Sequence, residues 1–270
     1  MFKQESSMEL GLKHRKAIIS GANRGIGRTI AHAYAAEGIH LALLGRNREQ
    51  CEAVAKEISQ AHSNITCVAV YVDLEKPATI KPAVEKSVQA LGGLDILVNC
   101  AGGAYRGRIT EIPDEMWERY FAVKPLGLIR MTRESIPYLQ KSDQARIINI
   151  SGTRGREPGP NSAMAGPINF GTLSVTKAMA NEFGPKGITV NAIAPGSTRT
   201  RRWDELVAIT AKDHKISEKD AEKRLLEEVP LGIVIEPEDI SDLAVFVASA
   251  RARAISGTCI NVDGGRTRSI

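Results

Sequence analysis

The sequence predicts an α/β fold: a doubly wound parallel sheet of seven strands, with helices on both faces and a small helical lid. Two observations carry this. Seven short β-rich apolar runs alternate with six stretches of helical spacing, the order that gives parallel strands joined by right-handed crossovers. The strand candidates are also continuous apolar runs rather than alternating ones, as strands buried on both faces are.

The first strand, Lys16–Ser20, leads through a glycine-rich turn into a helix over Gly25–Glu37. A second strand at Ile39–Leu44 and a helix at Asn47–Ala61 follow. The third and fourth strands, Ile65–Tyr71 and Leu94–Asn99, flank a helix at Pro77–Leu91. A long helix is expected over Asp114–Leu139, then a fifth strand at Ala145–Ser151 and a helix at Ser162–Phe183. The sixth strand, Ile188–Ile193, precedes the one long insertion, Arg199–Val229, whose charged, helix-prone sequence predicts the lid (about 199–229). A last helix, Pro237–Ala250, returns the chain to the seventh strand, Thr258–Val262. The organisation expected is a tail over 1–13 and one domain over 14–270.

At 270 residues the chain is long enough for one sizeable core. With 43% apolar and 25% charged residues, its composition is that of an ordinary soluble domain. No apolar run approaches the roughly 20 residues that span a bilayer, and the first residues contain no apolar signal region, so a cytoplasmic address is expected. The net charge of +5 comes from basic residues spread among 31 acids, with no basic run interleaved with aromatics; nucleic acid is not an expected partner. Cys51, Cys67, Cys100 and Cys259 are scattered, without metal-ligand spacing, so no metal is expected.

The turn Ser20-Gly21-Ala22-Asn23-Arg24-Gly25-Ile26-Gly27 has the order that phosphate binding requires. Gly21 permits the tight turn, Gly25 lets backbone approach a pyrophosphate, and Gly27 lets helix and strand pack closely. The helix N-terminus then offers free N–H groups to an anion. This is the dinucleotide-binding arrangement of Rossmann-type sheets. An acid at the end of the second strand would mark a free ribose 2′-hydroxyl. The chain has Leu44-Gly45-Arg46-Asn47-Arg48 there, and Arg46 with Arg24 suits a 2′-phosphate, so NADP(H) is the cofactor expected.

Further along, Val72-Asp73-Leu74, Asn99-Cys100-Ala101-Gly102, Asn191-Ala192-Ile193-Ala194-Pro195-Gly196 with Thr200, and Val262-Asp263-Gly264-Gly265 follow in order. With the glycine-rich turn they make five motifs, and the chain after its first dozen residues resembles the short-chain dehydrogenase/reductase family. Within it, the 3-oxoacyl-carrier-protein reductase-like branch is the nearest in pattern. The resemblance implies that Asp73 and Leu74 cap an adenine pocket. It implies that Asn99, Ala101 and Gly102 shape the nucleotide site, and that Pro195, Gly196 and Thr200 hold the nicotinamide amide. It also implies a homo-oligomer, most simply a tetramer, paired through the two long helices.

That family moves a hydride between nicotinamide and a carbonyl or alcohol carbon, with a Tyr as acid, a Lys four residues later, a Ser and an Asn. With Asn149-Ile150-Ser151 and Thr176-Lys177 as anchors, these positions fall on Ala165 (Tyr), Asn169 (Lys), Gly152 (Ser) and Lys124 (Asn). No tyrosine follows Tyr138, and no lysine lies between Lys141 and Lys177. Lys177 is about 12 Å along the helix from the expected site, at about 1.5 Å per residue.

The neighbours that remain are Tyr105, Arg106, Arg108, Lys124, Ser151, Thr153, Arg154, Arg156 and Ser162. Lys124 could bind an anion, serve as an acid if desolvated, or snorkel to solvent. Arg154 and Arg156 could clamp a carboxylate or phosphate of a small-molecule substrate, or be solvated loop residues. Tyr105 is a distant candidate for a phenolic acid. Three functions stay open: an NADP(H) oxidoreductase with a rearranged acid; a lyase, isomerase or cyclase on the same scaffold; and a non-catalytic nucleotide-binding subunit. The family pattern places the first ahead.

Overall fold

In the computed structural model, residues 9–103, 105, 107–159 and 162–269 are described. Seven parallel strands form one sheet: β1 (Lys16–Ser20), β2 (His40–Gly45), β3 (Cys67–Tyr71), β4 (Ile96–Asn99), β5 (Arg146–Ile150), β6 (Thr189–Pro195) and β7 (Cys259–Val262). Their spatial order is β3-β2-β1-β4-β5-β6-β7. The chain winds outward from β1 to β3, then crosses back to β4 and winds the other way. The carboxyl ends of β1 and β4 therefore diverge into a crevice, the place where such sheets take ligands.

Each strand presents alternate residues to two cores. Ile19, Leu41, Leu43, Ile148 and Ile193 face α1 (Gly25–Ala36), α2 (Arg48–Ala61) and α9 (Pro237–Ala248). Ile18, Leu44, Leu97, Ile147 and Val190 face α3 (Ile80–Leu91), α5 (Gly127–Leu139) and α6 (Ala165–Phe183). Tyr34, fully buried, ties α1 to α9 by donating its hydroxyl proton to Ala244 O at 3.2 Å.

Three expectations need correcting. Strand ends move by one or two residues, because pairing rather than hydrophobicity sets them; β6, for instance, continues to Pro195, which pairs with Val262. Of the tail, residues 1–8 lie outside the described residues, but 9–13 are docked: Leu12 is 2% exposed, and Leu10 O accepts from Ala250 N at 2.9 Å. The single helix over 114–139 is divided into α4 (Asp114–Phe121), a wide π turn (Ala122–Leu126) and α5. Pro125 within the wide turn has no N–H, and its ring crowds the preceding turn, which opens the regular ladder there.

The insertion after β6 forms α7 (Arg201–His214) and α8 (Glu218–Leu226), joined around a small core of Trp203, Val207, Ala211, Ala221 and Val234. Among the described residues, no helix is long and apolar enough to cross a membrane, and no cluster of His, Cys, Asp or Glu is arranged to hold a metal.

Candidate functional site

The glycine-rich turn has the backbone its sequence requires. Gly21 sits at φ +74°, and a Cβ there would lie 2.7 Å from Ala101 Cα. Gly25 is at φ +53°, and a Cβ on Gly27 would fall 2.3 Å from Gly21 O. Ile26 packs its side chain toward the core, leaving its backbone to the turn. The helix α1 starts without a capping side chain and without an acid in its first turn. Its leading N–H groups and its positive pole are directed to whatever lies above the turn.

Beside this cradle, Arg24 and Arg46 are exposed. Arg46 Nη1 lies 2.7 Å from Glu75 Oε1, which Arg119 Nε also approaches at 3.1 Å. Asn23 is held on α2, its Nδ2 donating to Gln50 Oε1 at 2.7 Å. Asp73 shapes its own turn: its Oδ1 accepts from Glu75 N at 3.1 Å, and its N–H donates to Thr79 Oγ1 at 3.0 Å. The Leu74 side chain is buried in the core against Gly127, so only its backbone can face the crevice.

The far wall begins at β4. Ser20 Oγ accepts from Cys100 N at 3.2 Å and from Ala101 N at 3.3 Å, which fixes the loop carrying Ala101 and Gly102. Asn99 Nδ2 donates to Asn149 Oδ1 at 2.9 Å, and Asn149 Nδ2 donates to Thr176 Oγ1 at 2.9 Å. This buried chain fixes β4, β5 and α6 to one another. After β6, Gly196 approaches Asp263 so closely that a Cβ would lie 2.8 Å from that of Asp263. Asp263 in turn accepts from Gly265 N and Thr267 N at 3.0 and 2.9 Å. Thr200, at the root of the lid, faces the cradle: its Cγ2 lies 3.7 Å from where a Gly25 Cβ would stand.

Between these walls lies Lys124. Of the open readings of this residue, snorkelling is overturned, since the side chain is only 8% exposed. The wide turn points it inward; its stem runs along Gly102, and its Nζ donates to Ser151 O at 2.9 Å and Asn169 Oδ1 at 2.7 Å. Burial pulls the ammonium down to about 8, with Cys100 opposing and Arg202 assisting. The Ser151 hydroxyl is bound internally to Asn169 O at 3.1 Å. Gly152 packs against the Asn169 amide, where a Cβ would be 3.0 Å from Nδ2.

The other candidates are not all gathered here. Arg156 turns to the edge strand, its Nη2 donating to Cys259 O at 3.4 Å. Arg154 Nη1 reaches Glu157 O at 3.5 Å, and Tyr105 stands on the surface, 38% exposed. Arg106 lies outside the described residues. Residues not anticipated from the sequence are Ser20, Glu75, Arg202, whose guanidinium overlies Gly103, and Glu157, whose Oε1 accepts from Arg268 N and Ser269 N at 2.6 and 2.8 Å. Glu157 had one legible signal, its place in the loop after β5.

Known proteins are similar to this chain in sequence and in fold. Residues 21–267 match a family model described as enoyl-(acyl carrier protein) reductase. The chain is 32% identical to D-beta-hydroxybutyrate dehydrogenase of Cupriavidus necator, over 94% of this chain and 98% of that protein. It is 30% identical to a 3-oxoacyl-(acyl-carrier-protein) reductase of Aquifex aeolicus, over 96% and 99%. The structure of L-sorbose reductase from Gluconobacter frateurii, complexed with NADPH and L-sorbose, superposes with a TM-score of 0.92 at 27% identity, covering 97% of this chain and 100% of that one.

Proposed function

The chain belongs to the short-chain dehydrogenase/reductase family, and from that membership we propose that it is an NADP(H)-dependent oxidoreductase acting on a carbonyl or hydroxyl group of a small molecule. One observation carries the reading: the phosphate cradle at Gly21–Gly27 and the buried Lys124 ammonium share one edge of the sheet. The residues fit the nucleotide. The uncapped start of α1 would take the pyrophosphate, Arg46 and Arg24 the 2′-phosphate, Asp73 the adenine side, and Asn99 to Gly102 the ribose wall. Pro195, Gly196 and Thr200 would take the nicotinamide amide. NADPH appears in the L-sorbose reductase structure described above.

A bound nicotinamide supplies the hydride, and the protein supplies placement and a proton. The active site is non-standard in this reading. Gly152 and Ala165 have no side chain able to hold or donate a proton at the substrate oxygen, and Asn169 carries no charge. Simple ketones should therefore be reduced slowly. An anionic group on the substrate would be met by Arg202 and Lys124. Exposed Phe170 on α6 and Leu126 ahead of α5, at 60% and 43%, support assembly into a homo-oligomer through these helices.

The experiment is calorimetric titration with NADPH and NADH, followed by NADPH oxidation over a panel of ketones, keto acids and keto sugars. Tight NADPH binding with turnover of a panel member supports the reading. Binding without any absorbance change would instead select a non-redox enzyme or a nucleotide-binding subunit.

A further inference from the structure

Lys124 is unusual for a lysine: among its described surroundings are two fixed acceptors and no carboxylate. We propose that Lys124 Nζ is the proton-transfer group of this site, giving its third proton to the carbonyl oxygen in reduction and recovering one from the hydroxyl in oxidation. The proposal rests on the oxidoreductase reading above.

The geometry leaves one proton of the ammonium uncommitted. An ammonium has three protons. Ser151 O at the end of β5 and Asn169 Oδ1 on α6 hold two of them, and the tetrahedral nitrogen then fixes the direction of the third. The stem passes so close to Gly102 that a Cβ there would lie 3.2 Å from its Cβ, Cγ and Cδ. A small residue stands nearby: Ala165, one helical turn before Asn169 on the same face of α6, ends at its Cβ and leaves room for a reacting group. The Ser151 hydroxyl, already donated to Asn169 O, is not a competing acid.

The transfer balances. As the carbonyl carbon gains a hydride, its π pair moves onto oxygen and the oxygen takes the proton from Nζ. A C–H and an O–H bond form and one N–H bond breaks; the carbonyl is reduced at the expense of the dihydronicotinamide. Lys124 is left as a neutral amine that still has two N–H groups. These keep both existing hydrogen bonds, so the lone pair is left where the proton was, ready for the reverse step. Solvent restores the proton. Among the described residues, the charged and titratable groups facing Nζ are Cys100 from the end of β4 and Arg202 from α7, while β5 and α6 present a carbonyl and an amide. An amine poised near 8 can serve in both directions.

The test needs no substrate. Protein labelled with ε-¹³C lysine is titrated by NMR, alone and with saturating NADPH or NADP⁺; the Lys124 signal is the one missing from K124R, or from K124M if K124R does not fold. A midpoint near 8, lower by about one pH unit with NADP⁺ than with NADPH because the oxidised ring is positively charged, is the expected result. Equal midpoints with both nucleotides, or a midpoint in the ordinary lysine range, would overturn the assignment while leaving the cofactor reading intact. Failure of either nucleotide to bind, seen by calorimetry, would overturn the functional reading and the proposal with it.

Discussion

Arg46 and Glu75 are paired across the mouth of the nucleotide crevice, guanidinium to carboxylate at 2.7 Å. A 2′-phosphate at Arg46 has to compete with that carboxylate. Arg46→Ala should weaken NADPH binding by about tenfold or more, the scale of a charge-assisted hydrogen-bonded contact, and leave NADH nearly unchanged. Glu75→Gln should tighten NADPH several-fold by releasing the arginine. Calorimetry on the three proteins checks both, and an Arg46→Ala protein that keeps its full NADPH affinity would place the 2′-phosphate elsewhere.

Lys124 should make stability rise with pH. Its amine is pulled to about 8 in the fold and returns to about 10.4 in the unfolded chain. Between these values the unfolded state binds the extra proton, so unfolding becomes harder as pH increases. Below about 8 both states are protonated and the full cost of burying the charge is present. The difference is on the order of 3 kcal/mol. Urea midpoints of wild type and Lys124→Met, measured at pH 7.5 and 10.5, should diverge in favour of wild type at the higher pH; parallel behaviour would contradict the buried amine.

Asn149 links two neighbours, accepting from Asn99 and donating to Thr176. Asn149→Ala would leave the Asn99 amide without that partner inside a core where Asn99 Oδ1 already has none. A loss of about 2 kcal/mol or more is expected from chemical denaturation, with Thr176→Val costing about half as much. A change below about 0.5 kcal/mol would mean that water replaces the link.

Gly152 cannot gain a side chain alone. In Gly152→Ser the new Cβ would stand 3.0 Å from Asn169 Nδ2, pushing the amide off Lys124. The single variant should bind NADPH normally yet melt several degrees lower. Joined with Ala165→Tyr, Asn169→Lys and Lys124→Asn, the same serine should raise NADPH-dependent ketone reduction well above Ala165→Tyr alone, since such groups act as a unit. Equal rates for the single and the fourfold variant would refute that coupling.

The sheet was readable because strands buried on both faces are unbroken apolar runs, and the cradle because its glycines answer to local backbone demands. Lys124 was not readable in the same way: its acceptors lie 27 and 45 residues away, and only the crossing of β5 and α6 brings them to it. Arg156 shows the opposite case. Its place after β5 is that of a ligand-facing residue, but Cys259 O on the edge strand takes its guanidinium. Leu12 was read as tail because Leu10 and Leu12 make too short a run to mark an element, whereas the core shared with α9 supplies a pocket for it.

The wide turn at Ala122–Leu126 also sets the phase of everything around it. A regular helix advances about 100° per residue, so one residue of slack between α4 and α5 amounts to more than a quarter of a rotation. No residue along α4 is buried, whereas α5 seats Leu128, Met131, Thr132, Ser135 and Leu139 inside. The offset makes residue 124 sensitive to insertion and deletion rather than to substitution alone. Excising Val123 would preserve every other side chain in the segment, yet would bring the helix back into a single phase and rotate the lysine off its two acceptors. The position of the ammonium is thus encoded as a residue count, a kind of information that aligned residue identities do not carry.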